Sequence, residues 1–128
     1  MNHNKHKSEE SVQDYLETIY VLSNRLPYVR SIDIANEMSY SKASVSVAMK
    51  NLRTLGYIEV SAEGYIALTE SGHQLAHSIY ERHSLMTKFL VFLGVNPEVA
   101  REDACMMEHD ISAESFEALK KHINNLIK

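Results

Sequence analysis

Two helical patterns joined by a polar turn, closed by a glycine and followed by two strand-like runs, leave this chain few folds to choose from. Residues 31–38 (SIDIANEM) read as a short helix, residues 39–41 (SYS) as the turn, and Lys42 to Leu55 as a second helix that stops at Gly56. Within that second helix Val45, Ala48, Met49 and Leu52 make the apolar stripe, which leaves Lys42, Ser44, Ser46, Lys50 and Arg53 facing outward. Tyr57–Val60 and Tyr65–Leu68 then flank Ser61–Gly64, the pattern of a β-hairpin. Helix, turn, helix and hairpin wing in that order predict a mainly α fold built on a winged helix-turn-helix. In such a motif the second helix meets base edges and phosphates in the major groove of double-stranded DNA.

The flanking segments are helical as well. Tyr15, Leu16, Ile19, Tyr20 and Leu22 define an amphipathic helix from about Ser11 to Asn24, broken by Pro27. A long helical pattern starts at Thr69 and runs through Leu75, Ile79, Leu85, Met86, Phe89, Leu90 and Leu93 to Gly94 and Pro97. Two more helices are expected over about Glu98 to Ile111 and Ala113 to Ile127, with the junction at Ser112 or Ala113. The expected division is a winged helix-turn-helix domain over residues 1–72 and an α-helical domain over 73–128.

The net charge of −4 looks adverse to nucleic acid, yet its distribution is not. Arg25 to Gly56 holds five basic residues against Asp33 and Glu37, a local +3 that leaves −7 on the remainder. A basic patch on an acidic body is compatible with DNA binding. No apolar run approaches the roughly 20 residues that span a bilayer, the polar residues 1–8 (MNHNKHKS) lack a signal's apolar stretch, and the lone cysteine fits a reducing cytoplasm.

Residues 105–109 (CMMEH) carry the chemistry. Spacings of three and four put the thiol of Cys105, the carboxylate of Glu108 and the imidazole of His109 on one helical arc. Asp14 and Glu17 repeat the logic three residues apart on the first helix. All five side chains can bind a transition metal, and a metal held by both segments would tie the chain's start to its far end. The plain alternatives are a cysteine that is only a small buried hydrophobe, carboxylates that favour a helix N-terminus, and an outward face of α-helix that is simply solvated. His73 and His77 also have ligand spacing but read as a solvated face, and His3 and His6 as a flexible tail.

Taken together, the element order, Asp14-Tyr-Leu-Glu17-Thr-Ile-Tyr20, Glu81-Arg-His83 followed by Phe89-Leu90, and Glu108-His109 before Ile111-Ser112 closely resemble the diphtheria-toxin-repressor and manganese-transport-regulator family of bacterial metal-dependent repressors. The resemblance covers nearly the whole chain. It implies a cytoplasmic bacterial DNA-binding transcriptional regulator rather than an enzyme, a homodimer joined through its C-terminal helices, with a divalent metal as co-repressor. The implied ligands are Asp14, Glu17, His83, Cys105, Glu108 and His109. Asp14 and Glu17 are manganese-like and Cys105 is shared with iron-type members, so Mn²⁺ and Fe²⁺ are the expected metals, with Zn²⁺ and Co²⁺ able to bind in vitro.

A second metal sharing Cys105 and Glu108 would take Glu17 and His83. The separate ancillary site of iron-type members is not expected, because Thr87 and Arg101 stand at its ligand positions. Nor is the C-terminal SH3-like domain of many relatives expected, and the wing carries Glu63 where relatives often have a basic residue. DNA contacts are expected from Ser41, Lys42, Ser44, Ser46, Lys50 and Arg53, at an operator near metal-uptake or efflux genes. Two other readings compete. One is a winged-helix regulator that is constitutive or senses an organic ligand; the other is a thiol or metalloenzyme using Cys105 and His109, for which the chain offers no oxyanion or Gly-rich motif.

Overall fold

The computed structural model describes residues 3–127, with side chains from Ser11 onward. The order is α1 (His3–Arg25), α2 (Ser31–Met38), α3 (Lys42–Thr54), β1 (Ile58–Val60), β2 (Ile66–Leu68), α4 (Glu70–Phe92), α5 (Pro97–Asp110) and α6 (Ala113–Leu126). Mainly α with a two-stranded wing is the architecture expected. The first helix is the exception: it begins at His3 rather than near Ser11. Residues 3–10 contain no glycine or proline, and once a helix is nucleated each further residue adds a hydrogen bond. The backbone of His3 and His6 is therefore helical and not a free tail, while their side chains lie outside the described residues.

The chain divides into two compact units, one ending at His77 and the other starting at Ser78, within α4. In the first unit Leu16 and Ile19 of α1, Ile34 of α2, Val45 and Leu52 of α3 and Ile58 of β1 are fully buried in one core. These are the stripe positions of each sequence pattern, and Ala48 packs half-buried beside them. At the start of α2 the Asp33 carboxylate accepts the Arg30 N–H at 2.9 Å. Its end is set by Ser39, whose φ of 59° is left-handed, while Tyr40 N–H donates to the Ala35 carbonyl at 3.1 Å.

Only a positive φ lets the chain turn this tightly into the second helix, and an L-residue with a Cβ resists it. Ser39→Gly is accordingly expected to raise stability by about 0.5–1 kcal/mol in chemical unfolding; a loss would show that the serine side chain stabilises the turn. Gly56 (φ 83°) ends α3, with Tyr57 N–H donating back to the Leu52 carbonyl at 3.0 Å, the pattern of a Schellman stop.

The wing pairs antiparallel, Ile58 with Leu68, Glu59 with Ala67 and Val60 with Ile66. Alternation turns Ile58 and Ile66 into the core and leaves Glu59 and Ala67 outside. Ile66 N–H also bonds the Val29 carbonyl at 2.7 Å, so the wing is anchored to the segment that leads into α2.

In the second unit Met86 of α4, Ala104 of α5 and Phe116 of α6 form the core, with Leu85, Ile111 and Leu119 packed against it. Asn96 caps α5 by accepting Glu98 N–H at 2.9 Å, and Pro97 takes the first helical position, where no N–H is needed. Ser112 caps α6 by accepting Ser115 N–H at 3.1 Å. The Glu81 carboxylate accepts a hydrogen bond from Lys120 at 3.1 Å and holds that ammonium above its usual pKa, tying α6 to α4.

Candidate functional site

In the helical unit α5 presents Cys105, Glu108 and His109 together, each offering one ligand atom within 4.8 Å of the others. Helical spacing alone produces this arc, because residues three and four apart share a face. The Glu108 side chain is 1% exposed and that of His109 is 6%, with His109 Nε2 3.7 Å from Glu108 Oε1. A carboxylate taken this far out of water is costly unless positive charge meets it. A buried carboxylate beside an imidazole and a thiol is a donor set that a divalent transition metal satisfies.

His83 joins from α4, with a donor atom within 4.8 Å of a Glu108 oxygen. Its Nε2 lies 3.2 Å from the Arg101 carbonyl oxygen. A carbonyl only accepts, so Nε2 donates, which leaves Nδ1 as the nitrogen on the side a metal could take; a backbone carbonyl fixing the far nitrogen is a common support for a metal-binding histidine. The last turn of α5 is held from α4 too: the Arg82 guanidinium donates to the Ile111 carbonyl at 3.4 Å and lies over the Phe116 ring at 5.3 Å.

Four of the six expected ligands thus gather around Glu108 within one unit. Asp14 and Glu17 lie in the other unit, half-buried and one turn apart on α1, where Thr18 Oγ1 donates to the Asp14 carbonyl at 2.8 Å. Of the positions expected not to build an ancillary site, Thr87 donates its hydroxyl to the His83 carbonyl at 2.7 Å and Arg101 is exposed. His73 and His77 are exposed, and both rings rest against Tyr20, whose hydroxyl is 3.0 Å from His77 Nδ1.

On the winged-helix unit, Ser41, Lys42, Ser44, Ser46, Lys50 and Arg53 are all exposed. Ser41 has a structural role that its sequence position only hinted at. As N-cap of α3 its Oγ accepts Ser44 N–H at 3.1 Å and donates to Ser44 Oγ at 3.0 Å. Arg25 is paired with Glu37, so the local +3 is carried by Arg30, Lys42, Lys50 and Arg53 against Asp33. Two features escaped sequence reasoning. Tyr28 stacks on Tyr65 with ring centroids 4.4 Å apart while the Arg30 guanidinium sits 4.8 Å from the Tyr65 centroid, which puts a cation beside a wing that has none of its own. Val47, on the polar face of α3, is 70% exposed.

Comparison with known proteins agrees with this geometry. Residues 8–66 match the N-terminal DNA-binding domain of iron-dependent repressors, and residues 69–128 match their metal-binding and dimerisation domain. The transcriptional regulator MntR of Escherichia coli is 38% identical over 87% of this chain and 72% of its own length. An uncharacterized HTH-type transcriptional regulator of Methanocaldococcus jannaschii is 36% identical over 87% of this chain and 90% of its own. Among solved structures, that of the manganese regulator SloR superposes with a TM-score of 0.78 at 33% identity, covering 88% of this chain and 53% of that one. The chain therefore spans about half the length of that solved relative. No described helix is long and apolar enough to cross a membrane.

Proposed function

This chain belongs to the iron-dependent repressor family of metal-responsive transcriptional regulators, and we propose that it binds operator DNA as a homodimer whose DNA-binding geometry is set by Mn²⁺ or Fe²⁺. The observation that carries the reading is the buried Glu108 with Cys105, His109 and His83 gathered round it. Asp14 and Glu17 are the ligands assigned to α1, and residues 1–72 and 73–128 are the DNA-binding and the metal-binding and dimerisation domains. A bound metal would supply the positive charge that lets carboxylates, imidazoles and a thiolate share one point. Hard oxygens with a single sulfur suit Mn²⁺ and Fe²⁺, while Zn²⁺ and Co²⁺ are expected to bind in vitro.

A metal shared by Asp14 and Glu17 with His83, Cys105, Glu108 and His109 would tie α1 to α4 and α5 and reduce the orientational freedom of the winged unit. Recognition helices so restricted meet half-sites about 34–36 Å apart at a smaller entropic cost. Linkage requires operator DNA to tighten metal binding by the same factor. Lys42, Lys50 and Arg53 supply phosphate contacts, joined by Arg30 at the wing, and Ser41, Ser44 and Ser46 supply hydroxyls. Val91, Phe92, Leu93 and Val99 leave an apolar surface exposed where α4 gives way to α5, as a dimerising domain requires. Such a regulator of metal-transport genes works in the bacterial cytoplasm.

The deciding experiment is an anaerobic titration of Mn²⁺, Fe²⁺ and Zn²⁺ into metal-free protein with labelled DNA from upstream of its own and neighbouring transporter genes, at fixed salt. Metal-stimulated binding is expected. Equal binding with and without metal would overturn the metal switch in favour of a constitutive or organic-ligand regulator.

A further inference from the structure

We infer that Val47 reads a thymine methyl group in the operator, and so sets one base of its sequence. The inference rests on the DNA-binding reading and adds a specificity residue to it. On α3 the buried residues are Val45, Met49 and Leu52. At about 100° per residue the direction opposite them is that of Val47, with Ala43 one turn before it and Lys50 one turn after. Ala43, Val47 and Lys50 are all exposed. Val47 therefore stands at the centre of the face presented to the groove, with Ser44 and Asn51 on one flank and Ser46 and Arg53 on the other.

Chemistry then selects what Val47 can recognise. A valine offers neither donor nor acceptor, so it discriminates only through an apolar contact, and in the major groove the C5-methyl of thymine is the one such group on a normal base pair. Against guanine, or adenine's N7 and N6 edge, the same side chain would cover hydrogen-bonding groups without replacing their water. Valine is also a poorer helix former than alanine on an exposed position. With 70% of its surface open, it contributes little to the fold that could account for it. Ala43 extends the apolar strip towards the helix N-terminus, while the hydroxyls and cations on either side suit the sugar-phosphate edges.

The test uses Mn²⁺-loaded full-length protein and a pool of random-sequence duplexes. Sites selected by the wild type are remade with each thymine in turn replaced by deoxyuridine, which deletes only the methyl. One half-site thymine is expected to show a loss of about 4-fold, or about 16-fold when both half-sites are changed, the value of one buried methyl group each. Val47→Ala and Val47→Ser should show no penalty at that position and should select pools in which its preference for T is lost, with unfolding temperature and dimer size unchanged. If both variants keep the wild-type preference and the same uracil penalty, the assignment to Val47 falls while DNA binding stands. If the wild type selects no sequence, the DNA-binding reading falls and takes this inference with it.

Discussion

Glu108→Gln is expected to abolish metal-stimulated DNA binding while leaving a folded protein. The substitution keeps the volume of the side chain and exchanges one oxygen for an amide nitrogen, so the packing of a residue with 1% side-chain exposure is preserved. What disappears is the negative charge common to both donor groupings, the one with Cys105 and His109 and the one with His83. Replacing groups that merely support a metal ligand lowers affinity about 10–100-fold, so loss of this central ligand should exceed about 100-fold.

Two readouts separate that outcome from simple misfolding. In wild-type protein, Mn²⁺ at about 100 times its Kd should stabilise the fold by about 2.7 kcal/mol, and in the variant this increment should vanish. The metal-free variant should be as stable as metal-free wild type or more so, because a buried carboxylate no longer has to be desolvated. A Glu108→Gln protein that still gains stability and DNA affinity with Mn²⁺ would remove Glu108 from the metal site.

Gly72→Ala should be the most damaging single methyl group in the winged unit. A Cβ built on Gly72 would lie 2.0 Å from the Tyr57 carbonyl oxygen and 2.9 Å from its carbonyl carbon, both backbone atoms that no rotamer change can move. The contact is close because the start of α4 is laced to the start of the wing. Thr69 Oγ1 accepts Gly72 N–H at 3.1 Å and donates to the Gly56 carbonyl at 2.7 Å, while Thr69 N–H bonds the Tyr57 carbonyl at 3.0 Å. An added methyl must part these segments, at a cost of about 3 kcal/mol by the usual scale of overpacking. Thermal unfolding should fall by roughly 10 °C or more. Unchanged stability would mean that α4 can move away from the wing without loss, and DNA binding by the folded fraction would show whether that motion matters.

Ser31–Met38, the turn at Ser39–Ser41 and the stop at Gly56 were legible because each depends on neighbours a few residues away: apolar spacing, a cap, a positive φ. The arc of Cys105, Glu108 and His109 was legible for the same reason, since one helix suffices to bring the three together. Asp14 and Glu17 were legible from the same three-residue spacing, whereas His83 came only from likeness to a family, and it is the folding of α4 beside α5 that places its nitrogen next to Glu108. The start of α1 was misjudged because nothing in residues 3–10 stops a helix, and propagation leaves little trace in composition.

By itself, then, the sequence determined the elements, their caps and the donor types, all consequences of local sterics and periodicity. Tertiary structure alone decided which groups are spoken for: Arg25 by Glu37, and the Nε2 of His83 by the Arg101 carbonyl. It also decided that Glu108 is dry, that Gly72 faces a backbone carbonyl and that Val47 is left in the open. Burial and pairing join residues distant in the chain, and their energies depend on what the fold puts within a few ångströms, which no local pattern encodes.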